Sequence, residues 1–414
     1  MVTTKSKSPK PGRMDAGFLI PLIAEFESRL EVLGYRRLTI SGYTDSARHF
    51  AAWVLEAGLL LDEICKDTVD RFARHHCQCA GTRRWNGVSR KYARRAGRFV
   101  AFLADGGIIP PSPCAAAEII HPQILGYQRW LAVHRGLSDR SITRQGRMIK
   151  RLLSALGEEP QAYSATTIRA TVRAEAERCT PSYVRTMTSA LRGYLRFLAA
   201  SGLCRPGLDQ AVPPVLQWRL SALPRYLPTA EVERMIASCD LATPLGLRDQ
   251  AILLLLGRLG LRAGDICCMR LDDFDWAAGT LRVSGKSRRG VRLPLPQDVG
   301  DAVLAYIEHG RSAVTDDRLF LRSIAPYRSF TTSSSIAGIV ARALRQAGVK
   351  DPPLKGAGLL RHSTATTMLR AGATLEAIGA LLRHRSLDMT AHYAKVDVPM
   401  LETIAQPWPG EASC

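Results

Sequence analysis

The sequence predicts a mainly α-helical chain with one small β-hairpin in its C-terminal domain: two tandem helical units, then a mixed α/β domain. Three observations predict it. The first half carries the pattern Gly-x-x-x-x-[Thr/Ser]-Ile twice, at residues 34–40 and 136–142, each time between two amphipathic stretches. After Asp275-Trp276 the apolar spacing switches from helical to strictly alternating. Prolines gather where these patterns stop, at residues 109–114 and, with five of them, at 206–228.

In chain order, residues 1–15 are rich in Lys, Ser and Pro with no apolar run behind them, and read as a disordered basic tail, not a signal peptide. Residues 16–110 form the first helical unit and 119–206 the second. Each closes on a Phe-Leu-Ala segment that runs into glycine, at 102–108 and 197–203, where glycine stops a helix. A linker, 207–226, leads to a third domain, 227–399, and a short tail, 400–414. In the third domain Thr229, ahead of Glu231 and Val232, is the expected helix cap. Leu247-Arg248-Asp249-Gln250 leads into an apolar helix at 251–259. Leu281 and Val283, then Val291, Leu293 and Leu295, are the alternating strands of a hairpin with a basic tip at 285–290. From Ser334 onward the pattern is helical again, broken at Asp351-Pro352-Pro353 and after Gly372.

The chain has 414 residues, a formal net charge of +20 and a pI of about 9.9, with 46% hydrophobic residues. That is length for two or three domains with full cores, and a charge that calls for a polyanionic partner. Double-stranded DNA is the expected one. Two basic stripes sit at helical spacing, Lys91, Arg94, Arg95 and Arg98, then Arg140, Arg144, Arg147 and Arg151. Each set falls on one helix face without the acidic residues that a salt-bridged surface helix would mix in. Ten cysteines without Cys-x-x-Cys spacing imply a reducing compartment, as in the cytoplasm. No metal site is expected, since His75-His76-Cys77-Gln78-Cys79 lacks a distant second ligand pair. The longest apolar runs, such as 251–256, are too short to span a bilayer. A phosphate-binding loop is excluded at 279–287, which has five residues between its glycines and reads as a strand.

Metal-free strand transfer on DNA needs a nucleophile that stores the phosphodiester energy in a covalent bond. A tyrosine can do so if its phenol loses a proton on attack and the nonbridging oxygens of the phosphorane are neutralised. Arginine suits the second task because its planar fork binds two oxygens at once. The third domain holds such residues in a fixed order: Gly260-Leu261-Arg262-Ala263-Gly264-Asp265-Ile266, then Lys286 at the hairpin tip, then Leu359-Leu360-Arg361-His362-Ser363, then Leu381-Leu382-Arg383-His384, with Tyr393 nine positions after His384.

Over roughly residues 225–400 this ordered set resembles the catalytic domain of the tyrosine recombinases, the phage-integrase family. The resemblance implies that Tyr393 is the nucleophile, Arg262 and Arg361 the phosphate-binding arginines, and Lys286 the general acid. It implies that His384 packs on and hydrogen-bonds the scissile phosphate, and that Asp265 orients and pairs. It makes the second helical unit a core-binding, SAM-like domain and the first an additional copy. It further implies a 3′-phosphotyrosyl intermediate without ATP or other cofactor, and a homo-oligomer, a tetrameric synapse, on two DNA sites, with or without other recombinases of one mobile element.

One position departs from that pattern. Gly358 stands where the family places a histidine, three residues before Arg361, the presumed base that helps deprotonate the tyrosine. A lost base typically costs a factor of about 10² to 10⁴. The sequence leaves three explanations: a slow enzyme, a base supplied by His362 or His392, or an impaired protein that binds DNA as an accessory factor. His362 follows Arg361 directly and points about 100° away from it on a helix, which argues against full substitution. Replacing Gly358 by His is therefore expected to raise the cleavage rate. A type IB topoisomerase shares the nucleophile chemistry and is the remaining alternative.

Overall fold

The computed structural model describes residues 17–76, 89–110, 121–215, 223–284, 290–384 and 386–396. Helix forms wherever apolar residues recur three and four apart. The first helices are α1 (Ile20–Val32), α2 (Arg37–Glu56), α3 (Lys66–Arg74) and α4 (Arg90–Asp105). Next come α5 (Pro122–Arg135), α6 (Asp139–Leu156), α7 (Ala165–Arg178) and α8 (Pro181–Ala200). The repeated sequence pattern holds the same place in both sets: Gly34 and Gly136 follow α1 and α5 with φ of 77° and 53°, and the Thr/Ser-Ile pair opens α2 and α6. Only glycine takes that left-handed turn without steric cost, so the glycine ends one helix and frees the chain to start the next.

The chain divides into two compact units, residues 1–55, 79–82 and 222–414 in one, and 56–78 and 83–221 in the other. In the second unit α3 packs on α4, and α5 to α8 enclose a core built on Tyr127, Leu152, Leu191, Tyr194 and Leu198. Its aromatic centre keeps its polar tips satisfied. Tyr127 donates to Gln145 Oε1 at 2.7 Å and Tyr194 to Gln123 Oε1 at 2.6 Å. A buried hydroxyl without such a partner would cost about 1–3 kcal/mol.

In the first unit α1 buries Ile23, Phe26 and Leu30, and α2 buries Ile40, Phe50 and Val54. The larger part follows from residue 223: α9 (Thr229–Ala237), α10 (Pro244–Arg258), α11 (Ala263–Cys268), the strands β1 (Phe274–Asp275), β2 (Thr280–Ser284) and β3 (Gly290–Pro294), then α12 (Gln297–Ala305), α13 (Ser334–Gln346), α14 (Gly358–Arg370) and α15 (Leu375–Leu382). The strands form one antiparallel sheet in the order β1-β2-β3, with Leu281 opposite Leu293 and Val283 opposite Val291. Helix α10 is central: residues 251–256 are all buried, and it packs against α9, α12 and α14. At about 1.5–3 kcal/mol for each large apolar side chain, this helix fixes the frame on which α11 and α14 sit. Its one buried carboxylate, Asp249, is paired with Arg248 and Arg342.

One expectation shifts. Pro228 caps α9 and Thr229 is its first residue, because the extended conformation that a cap requires falls on the proline; the Thr229 hydroxyl meets that of Thr367 at 3.2 Å instead. Thr243 caps α10 and accepts from the Gly246 amide at 3.1 Å. Among the described residues no helix is long and apolar enough to cross a membrane, and Cys267 and Cys268 form no disulfide.

Candidate active site

The turn between α10 and α11 carries the first arginine. Gly260 takes φ of 56°, and a Cβ there would lie 2.5 Å from Leu382 Cδ2, so only glycine lets the turn approach the end of α15. Arg262 then caps α11, its backbone N–H donating to Asp265 Oδ2 at 2.9 Å. Asp265 is buried and also accepts from the guanidinium of Arg383. Asp265 thus ties the start of α11 to Arg383 at the end of α15.

Arg361 enters from the first turn of α14, only 9% exposed. It donates to the carbonyl of Gly260 at 2.6 Å and to that of Leu382. Arg262 donates to the carbonyl of Arg383 at 3.2 Å. The two arginines separated by a hundred residues therefore meet at the C-terminus of α15, where a helix leaves its last carbonyls without internal partners and carries partial negative charge. That helix ends in a left-handed Arg383, φ 54° and ψ 51°, whose own N–H bonds Ala380 O while the His384 N–H bonds Gly379 O at 2.9 Å. This paired closure sends the chain sharply out of the helix and presents His384.

Beyond it, Thr390 is fully buried and meets His384 Nδ1 at 2.8 Å through its hydroxyl. A six-residue 3₁₀ segment, Ala391–Val396, then carries Tyr393. Its ring is 2% exposed and lies parallel to His384, at 3° between planes and 6.3 Å between centroids. The Tyr393 hydroxyl stands 2.9 Å from His362 Nδ1. His392 meets the same ring edge-on at 5.9 Å. Gly358 opens α14, and a Cβ placed on it would have no heavy atom within 4 Å.

The electrostatics favour an anionic ligand. Arg262, Arg361 and Arg383 gather around a single carboxylate, Asp265. Desolvation and then the neighbouring Arg262 pull the Arg361 pKa down to about 10. Desolvation, then Arg361 and Arg262, hold His384 down at about 4, so it is neutral near pH 7. His362 is also lowered, by desolvation, then His392 and Arg361. Burial raises the phenol of Tyr393 above its ordinary 10, with Arg361 opposing. A bound phosphate would offset the desolvation and the repulsion that lower Arg361.

The structure thus brings together Arg262, Asp265, Arg361, His362, His384 and Tyr393, with Gly358 at the head of α14. Lys286, expected from the sequence at the hairpin tip, lies outside the described residues, as do Cys77 and Cys79. Of the basic stripes, Lys91 and Arg94 on α4 and Arg140, Arg144 and Arg147 on α6 are exposed, while Arg95 and Arg98 are half-buried. Arg151 is drawn into an ion pair with Glu175 of α7 at 2.8 Å and over the Tyr183 ring, so its acidic neighbour comes from another helix and not from its own. Two residues of the site escaped the sequence reading. Arg383 adjoins His384, but its partner is 118 residues away, and its Nε and Nη1 are buried without a hydrogen bond. Thr390 is an ordinary polar residue until the fold sets it against His384.

Comparison with known proteins gives four matches of weight. The model of the phage integrase family matches residues 225–399. A protein of Sinorhizobium fredii (strain NBRC 101917 / NGR234), y4rA, named as a candidate integrase/recombinase, is 34% identical over 94% of this chain and 94% of its own. The tyrosine recombinase XerC of Yersinia pestis is 28% identical over 68% of this chain and 93% of its own. Among solved structures, the XerH site-specific recombinase bound to palindromic difH substrate in a post-cleavage complex shares the fold, with a TM-score of 0.55 at 18% identity, covering 70% of this chain and 98% of that one.

Proposed function

The chain belongs to the phage integrase family, the tyrosine recombinases that carry out site-specific DNA recombination, and from that premise we propose that it cuts and rejoins double-stranded DNA through a 3′-phosphotyrosyl link to Tyr393. The observation that carries the proposal is the convergence at one place of a phenol, an imidazole and two arginines from four separate segments of the chain. Their order of action follows from their chemistry. Arg262 and Arg361 take the nonbridging oxygens of the scissile phosphate, each guanidinium having five donors to divide between backbone carbonyls and phosphate. His384, held by Thr390 through Nδ1, has its other ring nitrogen for a phosphate oxygen. Tyr393 attacks, the 5′-oxygen leaves with the proton that the resemblance assigns to Lys286, and the 5′-hydroxyl of a partner strand reverses the step. The bond energy stays in the phosphotyrosine, so this route calls on neither ATP nor a divalent metal.

Tyr393 is 2% exposed in this state, with its hydroxyl against His362. Recombination of the ends of a mobile element, by a tetramer on two sites, is the setting we propose, with α6 on the DNA. The test is incubation with nicked DNA fragments from the ends of the element, read on a denaturing gel. A covalent adduct that disappears in Tyr393→Phe supports the reading. DNA binding without any adduct would favour an accessory DNA-binding protein, and plasmid relaxation without strand exchange a topoisomerase.

A further inference from the structure

We propose that His362 is the general base for Tyr393, taking the place of the side chain that Gly358 lacks; this rests on the recombinase reading above. The Nδ1 atom of His362 is 2.9 Å from the Tyr393 hydroxyl, within the reach a base requires. The two other histidines around the phenol are placed differently. His384 lies parallel to the ring with its Nδ1 on Thr390, and His392 meets the ring edge-on. Helix geometry explains the division of labour on α14. Neighbouring residues diverge by about 100°, so Arg361 reaches the carbonyls of Gly260 and Leu382 while His362 faces Tyr393. The divergence that argued in the sequence against His362 is what points it at the nucleophile, because Tyr393 comes from another element.

In the step, the Oη–H bond breaks and its proton passes to Nδ1 of the neutral imidazole, whose own N–H is on Nε2. The Oη electron pair forms the bond to phosphorus. The P–O5′ bond breaks, its electron pair stays on O5′, and O5′ takes a proton from the general acid, the role the resemblance gives Lys286. In the reverse step the imidazolium returns its proton to Oη as phosphorus transfers to the partner strand's 5′-oxygen, whose own proton goes to the group that acted as acid. Burial, His392 and Arg361 keep His362 below its ordinary pKa, which leaves it ready to accept.

The experiment is single-turnover adduct formation on nicked DNA by the wild-type chain, His362→Asn, Gly358→His and the double variant, with site-DNA affinity measured for each. Asparagine keeps a hydrogen-bonding group near Nδ1 and cannot take the proton. The expected result is a loss of about 10² to 10⁴ in rate for His362→Asn at unchanged affinity, partly recovered in the double variant. Gly358→His in the wild-type background is expected to change the rate by less than about threefold, because a base is already in place. Three results would overturn the proposal: an unchanged His362→Asn rate, a faster one, which would make the contact a latch on the buried tyrosine, or a gain of about 10² or more from Gly358→His alone. The last needs no change at 362, so it decides even if His362→Asn folds poorly. No Tyr393-dependent adduct from the wild-type chain would instead bring down the recombinase reading itself.

Discussion

At the scale of single residues, the site is an assembly of cations held in place by backbone carbonyls. Arg361 bridges the carbonyls of Gly260 and Leu382, a task that needs a fork of donors. Arg361→Lys keeps the charge and loses the fork, so we expect adduct formation to fall by about 10² or more, with about 1–3 kcal/mol lost in urea unfolding. His384 makes a second test. Its pKa in the folded chain is about 4, below the ordinary 6.5, so on acidification the unfolded chain binds the proton first. Its contribution to stability is therefore complete above 6.5 and is lost as pH falls toward 4. The thermal midpoint should fall across that window, and His384→Gln should make the fall shallower.

Among elements, the close approach of the α10–α11 turn to the end of α15 is the joint on which both arginines depend. Gly260→Ala puts a Cβ on Leu382 in a left-handed backbone, φ 56°, and is expected to cost about 1–3 kcal/mol in unfolding experiments. Helix α6 can be tested apart from the chemistry. Arg144 and Arg147 are exposed on it, whereas Arg151 is tied to Glu175. If α6 lies on phosphate, Arg144→Ala with Arg147→Ala lowers affinity for all DNA sequences and reduces the slope of log K against log salt by about 1.8, while an unchanged slope makes the stripe surface decoration. Hairpin β2–β3 pairs Leu281 with Leu293 and Val283 with Val291.

On the scale of the whole molecule, a net charge of +20 makes DNA affinity a steep function of ionic strength. With six to ten phosphate contacts, affinity measured by fluorescence anisotropy should fall by about 10³ to 10⁵ between 50 and 200 mM salt. A nearly flat response would mean that the charge is spread away from any DNA-binding face.

The sequence by itself determined the helical architecture, the place of the β2–β3 hairpin, the repeated Gly-x-x-x-x-[Thr/Ser]-Ile joints and the chemical types of the ordered residues Arg262, Arg361, His384 and Tyr393. All of these are local signals: apolar period, turn glycines, and side-chain types whose chemistry is intrinsic. It could not place Arg383 on Asp265, Thr390 on His384, or His362 on Tyr393, nor see that Arg151 belongs to Glu175. Those pairs join segments up to 118 residues apart. A direction on one helix acquires a partner only when packing brings another element to face it, and that was decided by the tertiary structure alone.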